Sequence, residues 1–199
     1  VRPYGDSIYP SSLFPWSKTV SGQMGQPLGY DPLAILVKEA HARNLSFHAW
    51  VNPYRTMTDE EMAQVSGEYA IKRWYDSSSR SDYMILSQGR WWLQPGNAEV
   101  QKLIISGIEE IVRNYQVDGI HFDDYFYNET PATYGDTTAQ AKANTTALVR
   151  GAYQAIKAIR PSVQFGISPQ GGFRETSSLP NSDINNMSTD LALWCSASG

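Results

Sequence analysis

The amino-acid sequence predicts an α/β protein built around a parallel sheet. Amphipathic helices alternate with short strands rich in β-branched and aromatic residues, which is the pattern of repeated βαβ units. The turns before the strands are short, whereas the loops after them are longer and rich in aromatic residues. With 41% hydrophobic and 18% charged residues, the 199-residue chain has the composition of one ordinary globular domain, which we predict to span 1–199.

The first part of the chain predicts two helical segments with a strand between them. Asp31 is the expected N-cap of the first helix. The apolar positions of this helix are Leu33, Leu36, Val37 and Ala40. The segment 46–54 is an expected strand. Residues 58–74 predict a weaker helix, in which Thr58 is the N-cap and Glu61 completes a capping box.

The second part of the chain continues the alternation of strands and helices. Residues 83–96 predict a hairpin, or a strand entered through a turn at Gln88-Gly89. Asn97 then caps a strongly amphipathic helix. The remaining expected elements are a strand over 117–124, a helix over 138–159, a strand over 163–168 and a last amphipathic helix that begins near Asp183.

These βαβ units favour an incomplete (β/α)8 barrel of the TIM type. About four strands are clear, or five if Val1-Arg2 is the end of a strand that begins earlier, whereas a closed barrel has eight strands in about 250 residues. We therefore expect a barrel truncated at both ends. A doubly wound sheet is the alternative, but no G-x-G-x-x-G fingerprint follows any strand, which argues against a dinucleotide site.

Charge and composition disfavour several classes of function. The formal net charge is −4 and no run of Lys or Arg is present, so we expect no nucleic-acid partner. No stretch reaches the roughly 20 apolar residues of a membrane-spanning helix. Cys195 is the single cysteine, which excludes an internal disulfide. Six Trp and twelve Tyr, several of them beside polar residues, instead suit a surface that stacks on sugar rings.

Polar and aromatic side chains concentrate where the predicted strands end. Ligands bind at the carboxyl ends of parallel strands, so these positions form the candidate site. Because side chains alternate along a strand, His48, Trp50 and Asn52 share one face, and His121 and Asp123 share one face. The candidate site residues are Arg2, Asp6, His48, Trp50, Asn52, Arg55, His121, Asp123, Asp124, Tyr125 and Tyr127.

The aspartate pair at the end of the 117–124 strand suits glycoside hydrolysis. That reaction uses two carboxyl groups, one to protonate the leaving oxygen and one to act as nucleophile or to activate water. Asp123 and Asp124 are our candidate catalytic residues, with Asp123 favoured by the strand alternation. Adjacent carboxylates diverge on a regular strand, so the second group must come from another loop, and Asp6 and Glu129 are the candidates within the chain. The structural alternative is that the two aspartates cap a loop or start a helix.

Two other classes of function remain open at this point. His48 and His121 can be core residues, substrate-binding residues, or metal ligands together with Asp6 and Asp123, as in a metal-dependent hydrolase. No close-spaced pair such as H-x-H supports metal binding, so we expect no metal and no cofactor. A barrel that keeps a sugar-binding face without a catalytic carboxylate would be a carbohydrate-binding protein.

Four long motifs stand in order along the chain: VRPYGDSIYPSSLFPWS, GYDPLAILVKEAHARNLSFHAWVNPYR, VRNYQVDGIHFDDYFY and YQAIKAIRPSVQFGISP. Together they resemble the glycosyl hydrolase-like 10 family of bacterial proteins over nearly the whole chain. The resemblance implies a barrel related to glycoside hydrolases, in proteins that are usually exported or are lipoproteins of the bacterial envelope. Some relatives cleave the glycan strands of peptidoglycan. The polar signature of the family falls on the candidate residues from Arg2 to Tyr125.

The candidate site and the resemblance together predict a glycoside hydrolase that cleaves a bacterial or dietary polysaccharide, such as peptidoglycan glycan strands. Two positions depart from the family pattern: Gln94 stands where an aspartate is frequent, and Gln170 where an aromatic residue often follows Ser-Pro. The resemblance also implies export to the cell envelope. Because an incomplete barrel exposes strand edges and apolar surface, we expect copies of the chain to self-associate.

Overall fold

The computed structural model describes residues 1–123, 126–168 and 188–194. Its helices are α1 (Lys18–Ser21), α2 (Pro32–His41), α3 (Asp59–Met62), α4 (Ala70–Asp76), α5 (Ala98–Asn114), α6 (Thr138–Ile159) and α7 (Leu191–Trp194). Its strands are β1 (His48–Val51), β2 (Met84–Ser87), β3 (Arg90–Leu93), β4 (Gly119–Phe122) and β5 (Gln164–Ile167). Short 3₁₀ turns lie at Arg80–Asp82 and Pro131–Tyr134.

Strands β1, β4 and β5 form a parallel sheet, in that order, within the described part of the chain. Trp50 of β1 lies opposite His121 of β4, which lies opposite Gly166 of β5. At the other edge of β1, Arg2 forms a parallel bridge with Val51, so the first residues extend the sheet. The α/β prediction with parallel strands is confirmed.

Helices α5 and α6 connect the parallel strands and pack against each other. The Asn97 side chain caps α5 by accepting hydrogen bonds from the backbone N–H groups of Glu99 and Val100. Thr137 and Gln140 form a capping box at the start of α6. The apolar face that α5 buries consists of Val100, Leu103, Ile104, Ile108, Ile111 and Val112. Both helices are therefore confirmed where their hydrophobic periodicity predicts them.

The sheet has an apolar face and a polar face. The fully buried strand residues, which belong to the same core as α5, are Ala49, Val51, Ile120 and Phe122. The opposite face carries His48, which is exposed, and Trp50 and His121, which are half-buried. Because the two sets alternate along each strand, one face packs beneath the helices while the other presents polar groups.

A long connection joins β1 to α5 and contains α3, α4 and an antiparallel hairpin of β2 and β3. Gln88 (φ 50°) and Gly89 (φ 76°) both lie in the left-handed region, as a two-residue primed turn requires. The hairpin is thus confirmed. The expected helix over 58–74 is wrong in its middle, because the chain leaves helical geometry around Ser66-Gly67, two poor helix formers. Its capping box at Thr58 is present.

The end of the chain is described only in part. The last amphipathic helix, expected to begin near Asp183, falls largely outside the described residues. Within the described range 188–194, the structure has the short helix α7. The Trp194 indole of α7 donates to Thr146 Oγ1 of α6 at 3.1 Å, which joins α7 to the helical layer. No helix in the described ranges is long and apolar enough to cross a lipid bilayer.

Candidate functional site

Asn52 and Asp123 come together at the carboxyl end of the sheet. Asn52 follows β1 and Asp123 follows β4, and the two strands are paired neighbours. The Asn52 Nδ2 group donates to both carboxylate oxygens of Asp123, at 3.0 Å to Oδ1 and 2.9 Å to Oδ2. This contact joins two of the predicted site residues on the polar side of the sheet.

The orientation of the Asn52 amide is determined by the backbone. Its Oδ1 accepts a hydrogen bond from the backbone N–H of Arg55 at 2.8 Å. A backbone N–H can only donate, so the amide oxygen must face Arg55 and the amide nitrogen must face Asp123. Asn52 is 1% exposed, and both ends of its side chain are occupied. It therefore holds the carboxylate and presents no free amide to a ligand, which differs from the substrate-binding role predicted for Asn52 from the sequence.

On the polar face of the sheet, side chains of neighbouring strands lie side by side below the pair of Asn52 and Asp123. Trp50 and His121 are register partners, so the indole and the imidazole project from neighbouring strands on the same face. His121 Nε2 hydrogen-bonds with the Oγ of Ser168, which follows β5, at 2.6 Å. His48 lies over Gly119, where an added Cβ would be 2.5 Å from the imidazole Nδ1. The structure thus brings Trp50, His48 and His121 onto one surface with Asp123.

A basic and aromatic cluster of Tyr4, Arg55 and Arg90 adjoins Asn52. The guanidinium carbons of Arg55 and Arg90 lie 4.8 Å and 4.1 Å from the Tyr4 ring centroid. Arg90 also pairs with Glu61 at 3.2 Å. Sequence reasoning missed Tyr4 and Arg90, because the first loop and the start of β3 meet only in the folded chain. The neighbouring Arg55, which was predicted, is the one signal that pointed to this region.

Arg2 lies away from the polar face. As the bridge partner of Val51 it faces the helices, and it is 1% exposed. Its guanidinium carbon is 3.5 Å from the Phe14 ring centroid, and the group rests against Gly107 of α5. Its Nε and Nη1 atoms have no hydrogen-bond partner among the described residues. This placement contradicts a substrate-binding role for Arg2.

Asp6 is buried beneath the first loop. Its Oδ1 accepts a hydrogen bond from the backbone N–H of Tyr4 at 3.0 Å, and the residue is 1% exposed. Burial raises the pKa of the Asp6 carboxyl above its usual range. A substrate at the strand ends would not reach this group. The placement therefore contradicts direct substrate contact by Asp6 and weakens it as a second catalytic carboxylate.

Tyr127 belongs to the packing of the loop after β4. Its hydroxyl donates to Asp136 Oδ2 at 2.6 Å and accepts from Asn144 Nδ2 at 3.1 Å. Its ring meets Tyr134 edge-on with centroids 5.0 Å apart, and the side chain is 1% exposed. Burial raises the pKa of the Tyr127 hydroxyl. A residue that binds substrate must be exposed to it, so the burial of Tyr127 contradicts its place among the candidate site residues.

The second predicted aspartate and one aromatic candidate, Asp124 and Tyr125, lie outside the described residues. Glu129, the other candidate for a second carboxylate, is half-buried in the loop after β4. Its Oε1 accepts a hydrogen bond from the Ser87 hydroxyl of β2 at 2.5 Å. Glu129 thus joins the loop that carries Asp123 to the hairpin, and it stays a candidate.

The Asp123 carboxylate and the His121 imidazole are directed to protein partners. The Asp123 carboxylate accepts from Asn52, and the His121 imidazole contacts Ser168. In the part of the chain that the structure covers, no group of three or more His, Cys, Asp or Glu side chains is placed to hold a metal ion. The polar groups at the strand ends are therefore placed for hydrogen bonding.

Two curated proteins are similar to this chain in sequence. Glycosyl hydrolase YngK of Bacillus subtilis (strain 168) is 36% identical over 197 residues, covering 90% of this chain and 38% of the relative. Glycosyl hydrolase DigH of Escherichia coli (strain K12) is also 36% identical over 197 residues, covering 90% of this chain and 45% of the relative. The chain spans less than half the length of these curated relatives.

Similarity to a solved structure supports the fold. The alpha-L-fucosidase isoenzyme 2 from Paenibacillus thiaminolyticus aligns with 83% of this chain and 26% of its own, with a TM-score of 0.52 and 17% identity. At this identity the likeness concerns the fold alone. That protein is a glycoside hydrolase with a TIM-barrel fold, so the predicted fold class is confirmed.

The family comparison covers the sheet and the loops of the site together. A family model described as glycosyl hydrolase-like 10 matches residues 1–198. The match therefore includes every strand described above and both loops that carry Asn52 and Asp123. The resemblance read from the four sequence motifs is confirmed, and the chain belongs to the glycosyl hydrolase-like 10 family.

Proposed function

We propose that the protein is a glycosidase in which Asp123 is one of two catalytic carboxylates. The observation that carries the proposal is the position of Asp123 after β4, at the carboxyl edge of the parallel sheet, with Asn52 donating to both of its oxygens. Catalytic groups of barrel enzymes lie at this edge. Membership of a glycosyl hydrolase-like family supports the same reaction class.

Hydrolysis requires a second carboxyl group on the other side of the scissile bond. Among the described residues, Glu129 is the better candidate, because it is half-buried in the same loop whereas Asp6 is enclosed. Hydrolysis also needs groups that hold the sugar. The half-buried Trp50 indole is suited to stacking on a sugar ring, and His121 and Ser168 are suited to bonding hydroxyls.

The substrate class that we propose is a polysaccharide, with the glycan strands of peptidoglycan as the first to test. This choice rests on the family resemblance in the sequence motifs. Export to the bacterial envelope follows from the same resemblance and stays a prediction. The aromatic and basic cluster of Tyr4, Arg55 and Arg90 adjoins Asn52 and would border a bound glycan.

The test compares the protein expressed from its complete gene with its Asp123→Asn variant. Both are incubated with purified peptidoglycan glycan strands and with a panel of plain polysaccharides, and the products are identified by mass spectrometry. Replacing a catalytic carboxylate by its neutral isostere is expected to lower the rate by at least about 10³-fold. The matched control is Glu109→Gln, which removes a carboxylate on the outer helix α5 and should cleave like the wild type.

Each outcome has a distinct meaning. Products that disappear only in Asp123→Asn support the glycosidase and identify its substrate class. Equal cleavage by the variant would exclude Asp123 from the chemistry. Binding of a glycan without products, in the wild type and the variant alike, would favour the carbohydrate-binding alternative.

A further inference from the structure

We infer that Asn52 is a positioning residue that keeps Asp123 in its carboxylate form, so that Asp123 acts as the nucleophile or base and another group supplies the acid. The catalytic meaning of this inference rests on the proposed function. The contact itself does not, because it concerns two side chains whose geometry and protonation can be measured without a substrate.

The first step is that Asn52 has no freedom to change partners. Its amide oxygen accepts from the Arg55 backbone at 2.8 Å, which leaves only the amide nitrogen to face Asp123. The side chain is 1% exposed, so water does not compete for it. The Arg55 backbone is itself held, since Arg55 forms an antiparallel bridge with Trp92 of β3. The hairpin therefore fixes the donor that faces the carboxylate.

The second step is that the contact matches a carboxylate and not a carboxylic acid. Asn52 Nδ2 lies 3.0 Å from Oδ1 and 2.9 Å from Oδ2, so an N–H donor is directed at both oxygens. A carboxylate has only acceptors and accepts at both positions. A carboxylic acid would turn an O–H towards an N–H, which places two hydrogens against each other. Hydrogen bonds to the charged form favour that form.

The third step assigns the chemistry. If Asp123 is the nucleophile, a carboxylate oxygen bonds to the anomeric carbon while the bond to the leaving oxygen breaks, and that oxygen takes a proton from the second carboxyl group. If Asp123 is the base, water bonds to the anomeric carbon and gives its proton to Asp123, while the second carboxyl again protonates the leaving oxygen. In both cases the general acid is a residue other than Asp123.

Other titratable groups near Asp123 must be considered in any pH measurement. His121 lies two residues earlier on β4, and His48 lies on β1 on the same face of the sheet. Arg55 lies in the connection after β1, Glu129 lies in the loop after β4, and β5 is followed by the non-titrating Ser168. Substituting Asn52 leaves the side chains of these groups chemically unchanged, and the one further contact that Asn52→Ala removes is the hydrogen bond from the Arg55 backbone N–H.

The experiment uses the protein from its complete gene and the variants Asn52→Ala and Asn52→Asp. The control is Asn144→Ala, which removes another side-chain amide that donates to an aspartate, Asp136 at 3.2 Å, away from the strand ends. The pH dependence of kcat and KM is measured on peptidoglycan glycan strands. In parallel, carboxyl ¹³C NMR of aspartate-labelled protein follows Asp123, whose signal is assigned by its loss in Asp123→Asn.

We expect Asn52→Ala to lower kcat by roughly 10- to 100-fold with little change in KM. The acid limb of its kcat–pH profile should move to higher pH by about one unit, because a carboxylate that has lost this donor protonates earlier as pH falls. Asn52→Asp places two carboxyl groups in contact, so one of them should hold its proton to still higher pH. Asn144→Ala should match the wild type in all of these measurements.

An Asp123 carbon signal that titrates at the same pH in wild type and Asn52→Ala would overturn the inference, even if the enzyme is active. An unchanged acid limb in an active Asn52→Ala variant would do the same. If no protein cleaves any glycan but the Asp123 signal shifts as expected, the proposed function fails while the role of Asn52 in holding the carboxylate stands. Thermal unfolding of each variant distinguishes a loss of folded structure from a change in the protonation of Asp123.

Discussion

Two glycines allow large polar side chains to lie directly against the backbone. At Gly119 an added Cβ would be 2.5 Å from the His48 imidazole, and at Gly107 it would be 2.3 Å from Arg2 Nη1 and 2.5 Å from Phe14 Cε2. A Cβ atom does not approach non-bonded heavy atoms so closely. Glycine at 119 therefore admits an imidazole on the polar face, and glycine at 107 admits a guanidinium beneath α5.

Gly107→Ala should destabilise the fold, although alanine is normally the better helix residue by about 0.5–1 kcal/mol. The new methyl group would displace Arg2 and Phe14, which are 1% exposed and have no room to move, at a cost of about 1–3 kcal/mol. Urea unfolding measures the change. The control is Gly151→Ala in α6, where the methyl group meets only the flexible end of Ile105. Equal or greater stability of Gly107→Ala would contradict the packing described for Arg2.

Single residues also show how far the candidate site could be predicted. Alternation along each strand was sufficient to group Asn52 with Trp50 and Asp123 with His121, because the period of a strand is two, and the pairing of β1 with β4 joins the two groups. The same reasoning misplaced Arg2, since its register against Val51 depends on a pairing that the sequence does not reveal. Tyr127 was misassigned because its hydroxyl finds Asp136 and Asn144 only after the loop has folded.

Secondary-structure elements were predictable where a strong local signal was present. Helices α5 and α6 begin at capped residues and have sustained apolar periodicity, so tertiary contacts reinforce what the local sequence favours. The 58–74 segment lacks such a face. Its capping box at Thr58 starts only α3, and a second short helix, α4, forms after the interruption. Because the hydrophobic periodicity of residues 58–74 is weak, tertiary packing determines where the helices of this segment begin and end.

The hairpin turn gives a prediction at the scale of an element. Gln88 has φ of 50°, a conformation that asparagine and glycine adopt more readily than glutamine. Gln88→Asn should therefore raise the free energy of unfolding by about 0.5 kcal/mol, whereas the β-branched Gln88→Val should lower it. Thermal denaturation of both variants is the measurement. A stabilising Gln88→Val would show that the turn does not have this geometry.

Two separate surfaces of the whole molecule expose apolar groups. Helix α2 buries Leu33 and Val37 but leaves Ile35 and Leu36 about half exposed. At the β5 edge of the sheet, α6, β5 and α7 border a groove of about 500 Å³. Its aromatic lining residues are Tyr153, Phe165 and Trp194. Exposed apolar patches of this kind favour association.

The 199-residue chain is therefore expected to associate as its concentration rises. Sedimentation velocity should show a mass above that of a monomer at high concentration, and Leu36→Glu should shift the distribution towards monomer. Lys38→Glu, an exposed change of charge on the same helix, is the control and should have a smaller effect. A chain that remains monomeric throughout would disprove self-association.

The connection between β1 and α5 has a consequence for divergence within the family. Its residues 54–57 hydrogen-bond along β3, and the Trp74 indole stacks on Tyr83 with ring centroids 5.0 Å apart, so the segment carries much of its own support. Substitutions on the exposed surface of this segment can change the border of the site without disturbing the strands, provided that Arg55 keeps its contacts with Trp92 and Asn52. Relatives can thus evolve new ligand preferences on an unchanged chemical platform.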